Sequence, residues 1–319
     1  MPAPSPDALI LRVQLVGLCG TDLNSFRGKN PLISYPRVPG HEIAATVADS
    51  GHSDSQLPSG TNVTLMPYLG CGRCIACLRR RPNACEFNQT MGVQRDGALT
   101  EYISVPRAKI VRGNLSLKEL CLVEPLSIGF HAVSRAQVTA NDTVAVLGSG
   151  GVGLGAIAAA SFVGATVVAI DLDDRKLDIA RNAGAKVCIN SQTQDSHKIL
   201  RELTNGFGPY VVIEAIGLPT TFRMAVEEVA FTGRVVYIGY AKEPVEYETR
   251  LFVQKELDIR GSRNALPEDF RTVIRMLEEK RFPVDDAVSL IVDLEDAPQL
   301  IAQWAASPTA YSKIMVSMQ

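Results

Sequence analysis

The chain of 319 residues is predicted to be an α/β protein in two parts, a β-rich unit and a doubly wound parallel sheet. Three observations carry the prediction. The length suggests about two domains at roughly 150 residues each. The texture changes near residue 140, from short β-rich runs broken by Gly and Pro to strands alternating with helices. A G-x-G-x-x-G pattern at 148–153 sits where an apolar strand gives way to an apolar helix.

In chain order, ALILRVQLVG, EIAATVA, NVTLMP and LTEYISV suit strands of a barrel-like all-β unit. After Asn141 the strand candidates are 143–148, 166–171, 186–190, 210–217 and 233–239, with ELDIRG at 256–261 extending the set. Helical stretches lie between them at 153–163, 174–182, 196–204 and 219–230. Continuous apolar strands alternating with helices indicate a parallel sheet covered on both faces. Residues 267–280 read as an amphipathic helix with Phe270, Val273, Ile274 and Leu277 on one stripe. YSKIMVSM reads as a last strand, expected to pair back onto the first unit and make it discontinuous.

Composition excludes several classes. Hydrophobic residues are 46% and charged residues 21%, the balance of a soluble globular protein rather than a disordered or fibrous one. Lys and Arg total 32 against 34 Asp and Glu, so no nucleic acid or anionic membrane is expected as partner. The longest apolar stretch, around 152–164, is broken by glycines and is too short to span a bilayer. MPAPSPDALI has neither the basic start nor the apolar core of a signal peptide. A cytoplasmic location is expected.

The glycine pattern reads Gly148-Ser149-Gly150-Gly151-Val152-Gly153. In a strand-to-helix turn, Gly148 permits the tight bend, Gly150 lets a pyrophosphate approach the backbone, and Gly153 lets helix pack on strand. The free N–H groups and positive dipole end of the helix then face the phosphates. The next strand ends at Asp171, 21 residues after Gly150, where a carboxylate can accept both ribose hydroxyls and repel a 2′-phosphate. Asp173 and Asp174 add to that repulsion, while Arg175 follows closely. NAD is therefore expected over NADP. Gly239, at the end of its strand candidate, and Arg263, just past the strand ending at Gly261, are placed on the cofactor side. Ligands of open α/β sheets bind beyond the carboxyl ends of the strands. Arg263 can thus hold a substrate carboxylate or brace the cofactor, and Arg95 is a second candidate for the carboxylate.

There are seven cysteines, and Cys71, Cys74, Cys77 and Cys85 follow C-x2-C-x2-C-x7-C. An odd total without an export signal argues against a disulfide framework. Four thiolates at this spacing can close a tetrahedral shell around zinc, leaving no open position, which marks a structural site. Arg73, Arg79, Arg80 and Arg81 lie in the same loop and can offset its negative charge. Cys19 in GLCGTD, His41-Glu42 in PGHE and Glu124 in VEPL form a dispersed second set, in which each residue alone would ordinarily be structural. Cys121 and Cys188 read as core thiols, and His52, His131 and His197 as structural or surface residues.

G-L-C-G-T-D (17–22), G-H-E (40–42), the four-cysteine lobe (71–85), D-G-A-L-T-E-Y (96–102), V-E-P-L (123–126) and G-S-G-G-V-G (148–153) occur in that order. Together they resemble the zinc-dependent medium-chain alcohol dehydrogenases. The resemblance implies a GroES-like catalytic domain (1–125 and 265–319) and a Rossmann domain for NAD (126–264). It implies two zinc ions per chain, with Cys19 and His41 as catalytic ligands and Glu42 and Glu124 as ligands or near-ligands through water. Thr21 matches the hydroxyl that takes the substrate proton. YPRVPGHE (35–42) and GSRNALPEDF (261–270) are similar to L-galactonate and L-gulonate 5-dehydrogenases. The implied activity is oxidation of a secondary hydroxyl on a polyol or sugar acid by a homodimer or homotetramer. A dehydrogenase of simple alcohols or L-threonine, and a zinc- and nucleotide-binding protein with impaired catalysis, are the alternatives. The last is motivated by two departures from the family pattern: a leading strand is missing or shortened before Ala8, and Asn24 stands where a proton-relaying His is common; Ala45 in place of a usual Gly is a third departure.

Overall fold

Leu9, Leu11 and Val13 recur at every second position of the first strand, β1 (Ala8–Leu18), and all three are buried. That is the period of a strand with one face on a core. The computed structural model describes residues 7–49 and 57–318; His52 lies outside them. The chain divides into two compact units: 1–124, 266–279 and 284–319 form the first, and 125–265 with 280–283 the second.

The first unit continues with α1 (Gly20–Phe26), β2 (Glu42–Asp49), β3 (Asn62–Leu65), β4 (Tyr68–Leu69), α2 (Ile75–Leu78), β5 (Gln89–Thr90), β6 (Tyr102–Pro106) and β7 (Ile110–Val111). A 20-residue helix, α3 (Leu117–Ala136), starts there and runs into the second unit. The second unit holds β8 (Thr143–Leu147), α4 (Gly151–Val163), β9 (Thr166–Asp171), α5 (Asp174–Asn182), β10 (Val187–Asn190), α6 (Ser196–Leu203), β11 (Val211–Glu214), α7 (Pro219–Glu228), β12 (Arg234–Tyr237), α8 (Arg250–Gln254) and β13 (Asp258–Gly261). The chain then returns to the first unit through α9 (Pro267–Glu278), α10 (Val284–Ala287), β14 (Leu290–Asp293), α11 (Ala297–Ala306) and β15 (Ile314–Ser317).

The second unit's sheet runs β10-β9-β8-β11-β12-β13, every pair parallel. This is the doubly wound order, with its reversal between β8 and β11. Strand residues such as Ala145, Leu147, Val168, Val212 and Val235 share one core with Leu200 of α6 and Ala225 of α7. The fold is thus a β-rich unit and a doubly wound parallel sheet, as the change of texture predicted, matching the GroES-like and Rossmann domains that the resemblance implied.

The first unit's main sheet runs β14-β15-β1-β2-β3-β7, with β6 also on β1. Along one edge of β1, β6 pairs antiparallel from Ala8 to Arg12 and β15 from Leu15 to Leu18. The expected return of the last strand is therefore present. Register shifts in the β1–β2 pairing, the second between Val13 and Leu15, break the strict alternation. Beyond them Val16 still joins the core of Leu9 and Leu11, while Leu18 enters a second core with Leu23, Leu300, Trp304 and Val316.

A buried cation just before β15, Lys313, meets Glu42, the first residue of β2. Lys313 Nζ lies 2.6 Å from both oxygens of Glu42 and 3.3 Å from Leu18 O, and both charged side chains are almost wholly buried. Burial pulls the lysine's pKa down, but the Glu42 charge overcomes this and holds it above its ordinary value. Removing one partner of a buried pair leaves an uncompensated charge. Lys313→Met is therefore expected to destabilise the first unit by about 3–5 kcal/mol. Adding Glu42→Leu should recover most of that loss. Denaturant titration of both variants in metal-free protein checks it.

Candidate functional site

Cys19 follows the last residue of β1 and caps α1. Its sulfur accepts from Thr21 N at 3.2 Å, and its own N–H donates to Asp22 Oδ2 at 3.0 Å. This reciprocal capping box fixes where the sulfur points. His41 immediately precedes β2, and its Nε2 lies 3.2 Å from Cys19 Sγ. On the other side of the ring Asp22 Oδ1 is 3.9 Å from Nδ1 and accepts from Gly40 N at 3.4 Å. Burial pulls the imidazole pKa down, but the negative charges of Cys19 and Asp22 outweigh it and hold His41 well above its usual range.

Glu124 reaches the same place from α3. One ligand atom each from His41, Glu42 and Glu124 lies within 4.8 Å of the others, as do atoms of Cys19, Asp22 and His41. Glu124 Oε1 accepts a hydrogen bond from the buried hydroxyl of Tyr68. Burial, reinforced by neighbouring Glu42, pushes the Glu124 carboxyl up to about 7, against the pull of His41 and Tyr68. Burial and the Glu124 charge hold the phenol well above its ordinary value, so Tyr68 keeps its proton and donates it. Glu42 belongs to the cluster, yet both of its oxygens are taken by Lys313.

A dense set of a thiol, an imidazole and carboxylates, with a single ammonium to balance it, suits a divalent cation with mixed N/S/O ligands. Thr21, predicted to handle the proton, is the second residue of α1, next but one to Cys19. Cys121 is fully buried, and burial raises its thiol far above neutrality; it is an inert core residue, as expected. Cys188 is half-buried and donates to Leu177 O. His131 is buried, and His197 lies on the surface against Glu228 at 2.9 Å.

The sulfur atoms of Cys71, Cys74, Cys77 and Cys85 all lie within 4.8 Å of one another. Backbone N–H groups point at them: Cys71 N donates to Cys85 Sγ at 3.2 Å and Cys74 N to Cys71 Sγ at 3.3 Å. Backbone donors from Cys77 and Glu86 draw the Cys74 thiol down to about 6, while burial first, and then the neighbouring thiols, push Cys77 up to about 11. Such a cluster is consistent with zinc held by four thiolates. Arg73, Arg79 and Arg80 are exposed around it.

In the second unit the glycine turn has the predicted form. Gly148 has φ +95°, which favours glycine, and a Cβ on Gly153 would fall 1.9 Å from Gly148 O. A Cβ on Gly150 would meet nothing within 4 Å. Open space therefore faces the start of α4, whose first residues are Gly151, Val152 and Gly153 and whose cap makes no side-chain hydrogen bond. The residues fit a dinucleotide's pyrophosphate there. Asp171 ends β9 and accepts from Ser149 N at 2.7 Å, Leu172 N at 2.7 Å and Asp173 N at 3.1 Å. Arg175 is folded onto Asp173, 3.1 Å away. Gly239 follows β12 closely packed, since a Cβ would lie 2.4 Å from Gly217 N. Arg263 is half-buried after β13. Arg95 belongs to the first unit, is partly buried, and burial lowers its pKa.

Three residues in this arrangement were not singled out from the sequence. Asp22 stood inside the quoted G-T-D motif as a helix-capping carboxylate. Lys313 left a signal as a lone charge in an otherwise apolar strand run. Tyr68 left none.

Comparison with known proteins agrees with this geometry. Residues 5–114 match the family model for the alcohol dehydrogenase GroES-like domain, and 151–279 that for zinc-binding dehydrogenases. L-galactonate-5-dehydrogenase of Escherichia coli K12 is 34% identical over 286 residues, covering 89% of this chain and 84% of that one. An alcohol dehydrogenase from Escherichia coli CFT073, solved with NADH, superposes with a TM-score of 0.91 at 28% identity, covering 100% of this chain and 94% of that one. A zinc-binding dehydrogenase from Sinorhizobium meliloti 1021, bound to NADP, gives 0.91 at 30% identity over 99% and 93%. The chain belongs to the zinc-dependent medium-chain alcohol dehydrogenase family of oxidoreductases.

Proposed function

We propose that the protein oxidises a secondary hydroxyl of a polyol or sugar acid to a ketone, with NAD as acceptor and two zinc ions per chain. The observation that carries this reading is that two groups of candidate ligands, Cys19 with Asp22 and His41, and His41 with Glu42 and Glu124, share His41, separate from the four-cysteine lobe. When bound, zinc at that cluster supplies Lewis acidity to the substrate hydroxyl, and NAD accepts the hydride. Cys19, His41 and Glu124 hold the metal. Asp22 sets a negative charge 3.9 Å from His41 Nδ1, and Lys313 neutralises Glu42. Thr21 receives the hydroxyl proton. Asn24 cannot pass that proton on, so it leaves through water or another group. Cys71, Cys74, Cys77 and Cys85 hold the structural zinc.

Asp171 supports NAD. Its carboxylate is anchored by backbone N–H groups, so a 2′-phosphate would meet a fixed negative charge. Arg175, the nearby cation able to welcome that phosphate, is already matched by Asp173. The sugar-acid relative and the place of Arg263 after β13 support an anionic substrate, because a guanidinium binds carboxylate through a planar fork. A homodimer or homotetramer is the assembly we infer.

The test is a steady-state assay crossing NAD and NADP with an aldonate, its neutral polyol, a short alcohol and L-threonine. NAD with the aldonate or polyol should lead. Arg263→Leu should weaken the aldonate by a few kcal/mol in kcat/KM and barely affect the polyol. Equal losses assign Arg263 to the cofactor or the fold. Preference for a short alcohol or threonine, or equal use of NADP, overturns the respective part of the reading.

Removing the Thr21 hydroxyl with Thr21→Val should lower kcat by roughly 10²-fold or more, as for loss of an acid–base element. Normal turnover in that variant would assign the proton elsewhere.

Metal uptake at the Cys19 cluster should depend on pH with a definite sign. His41 and Glu124 both have raised pKa values in the metal-free protein, so near neutrality they hold protons that the metal must displace. Affinity is therefore expected to rise from about pH 6 to about pH 8, with proton release. Calorimetric titration in two buffers of different ionisation enthalpy measures both.

A further inference from the structure

Tyr68 has a fixed place for a reason outside the Cys19 cluster. It is one of the two residues of β4, which pairs antiparallel with β5 through Tyr68↔Thr90 and Leu69↔Gln89. Cys71 follows shortly after β4 and Cys85 shortly precedes β5. This strand pair closes the loop that carries all four lobe thiols. The Tyr68 ring is buried and packs edge-on to Phe270, with centroids 6.5 Å apart. Its hydroxyl donates to Glu124 Oε1.

A carboxylate has two oxygens and can turn about its last bond. The phenol donates to Oε1, and a Glu124 oxygen lies within 4.8 Å of a His41 ring nitrogen and a Glu42 oxygen. Glu42 is held in the opposite sense, with both oxygens on Lys313. The two carboxylates next to His41 are thus treated differently by their partners. Outer partners of metal ligands fix ligand orientation and raise affinity.

We propose that Tyr68 is a positioning residue for the metal at Cys19 and His41, holding the Glu124 carboxylate in one orientation through its hydrogen bond to Oε1. The inference rests on the reading of that cluster as the catalytic metal site. Phenylalanine keeps the ring and its contact with Phe270 while removing the one hydrogen bond.

Tyr68→Phe and the unaltered chain are compared with zinc in the four-cysteine lobe and cobalt(II) at the Cys19 cluster. Competition against a chelator reads the cluster's affinity, and the visible cobalt bands read its ligand geometry. Thermal midpoint, lobe zinc content and NADH fluorescence report the rest of the fold. The expected result is a loss of roughly 10- to 100-fold in cobalt affinity with shifted bands, the other readouts unchanged. Affinity within about twofold of the unaltered chain, with the same bands, overturns the role of Tyr68 and leaves the metal-site reading intact. Loss of lobe zinc or NADH binding in the variant also overturns it, since Tyr68 would then serve the fold at large. An unaltered chain that takes no metal at the cluster overturns the site reading and this inference together.

Discussion

Buried negative charge is the constraint on which the first unit is organised. Asp22, Glu42 and Glu124 are all nearly inaccessible to water, and the Cys19 sulfur sits among them. Isolated carboxylates do not survive such burial in ionised form without partners. The structure answers each differently: Asp22 takes two backbone N–H groups, Glu42 takes a lysine, and Glu124 takes a phenol. Against the downward pull of burial, the Cys19 and Asp22 charges in turn hold His41 well above its ordinary pKa. A divalent cation with mixed N/S/O ligands would complement such a cluster.

The division of labour between the units follows from their sheet types. An antiparallel sheet lets neighbouring strands differ in length and end at different heights. Cys19 at the end of β1 and His41 at the start of β2 are therefore side by side though 22 residues apart. A parallel sheet puts all carboxyl ends on one edge, so the turns after β8, β9, β11 and β12 gather there. Gly148, Asp171 and Gly239 occupy those turns for that reason.

Legibility in the sequence tracked how local the determining physics is. Helix α5 coincides with the residues read as helical from sequence, 174–182, because Asp173 caps it and Arg181 lies in its last turn. The strand expected over 210–217 stops at Glu214. That carboxylate turns back to accept from Ile216 N, Gly217 N and Thr221 Oγ1, a competition between side chain and ladder that apolar patterning does not register. Helix α3 was not read at all: it carries Pro125 inside it, which ordinarily signals an end. Cys19, His41 and Glu124 were legible only through their motifs, since no periodicity joins residues so far apart. Lys313 reaches Glu42 only because β15 returns to β1, and Tyr68 reaches Glu124 from a β4–β5 pair, so their partners cannot be inferred from spacing.

The three-part construction of the first unit has a consequence for the order of synthesis. Domains fold as the chain emerges, at roughly 5–20 residues per second. All strands of the parallel sheet exist once residue 261 has been made, whereas β1 waits for β15 to cover Leu15 to Leu18. That interval spans most of the chain and lasts on the order of tens of seconds at such rates. Throughout it, an apolar strand edge and the Glu42 carboxylate both lack their final partners. An open strand edge invites pairing with other chains. The β1 edge therefore stays open even after every strand of the parallel sheet has been made, and slowing translation between residues 261 and 314 would lengthen that window.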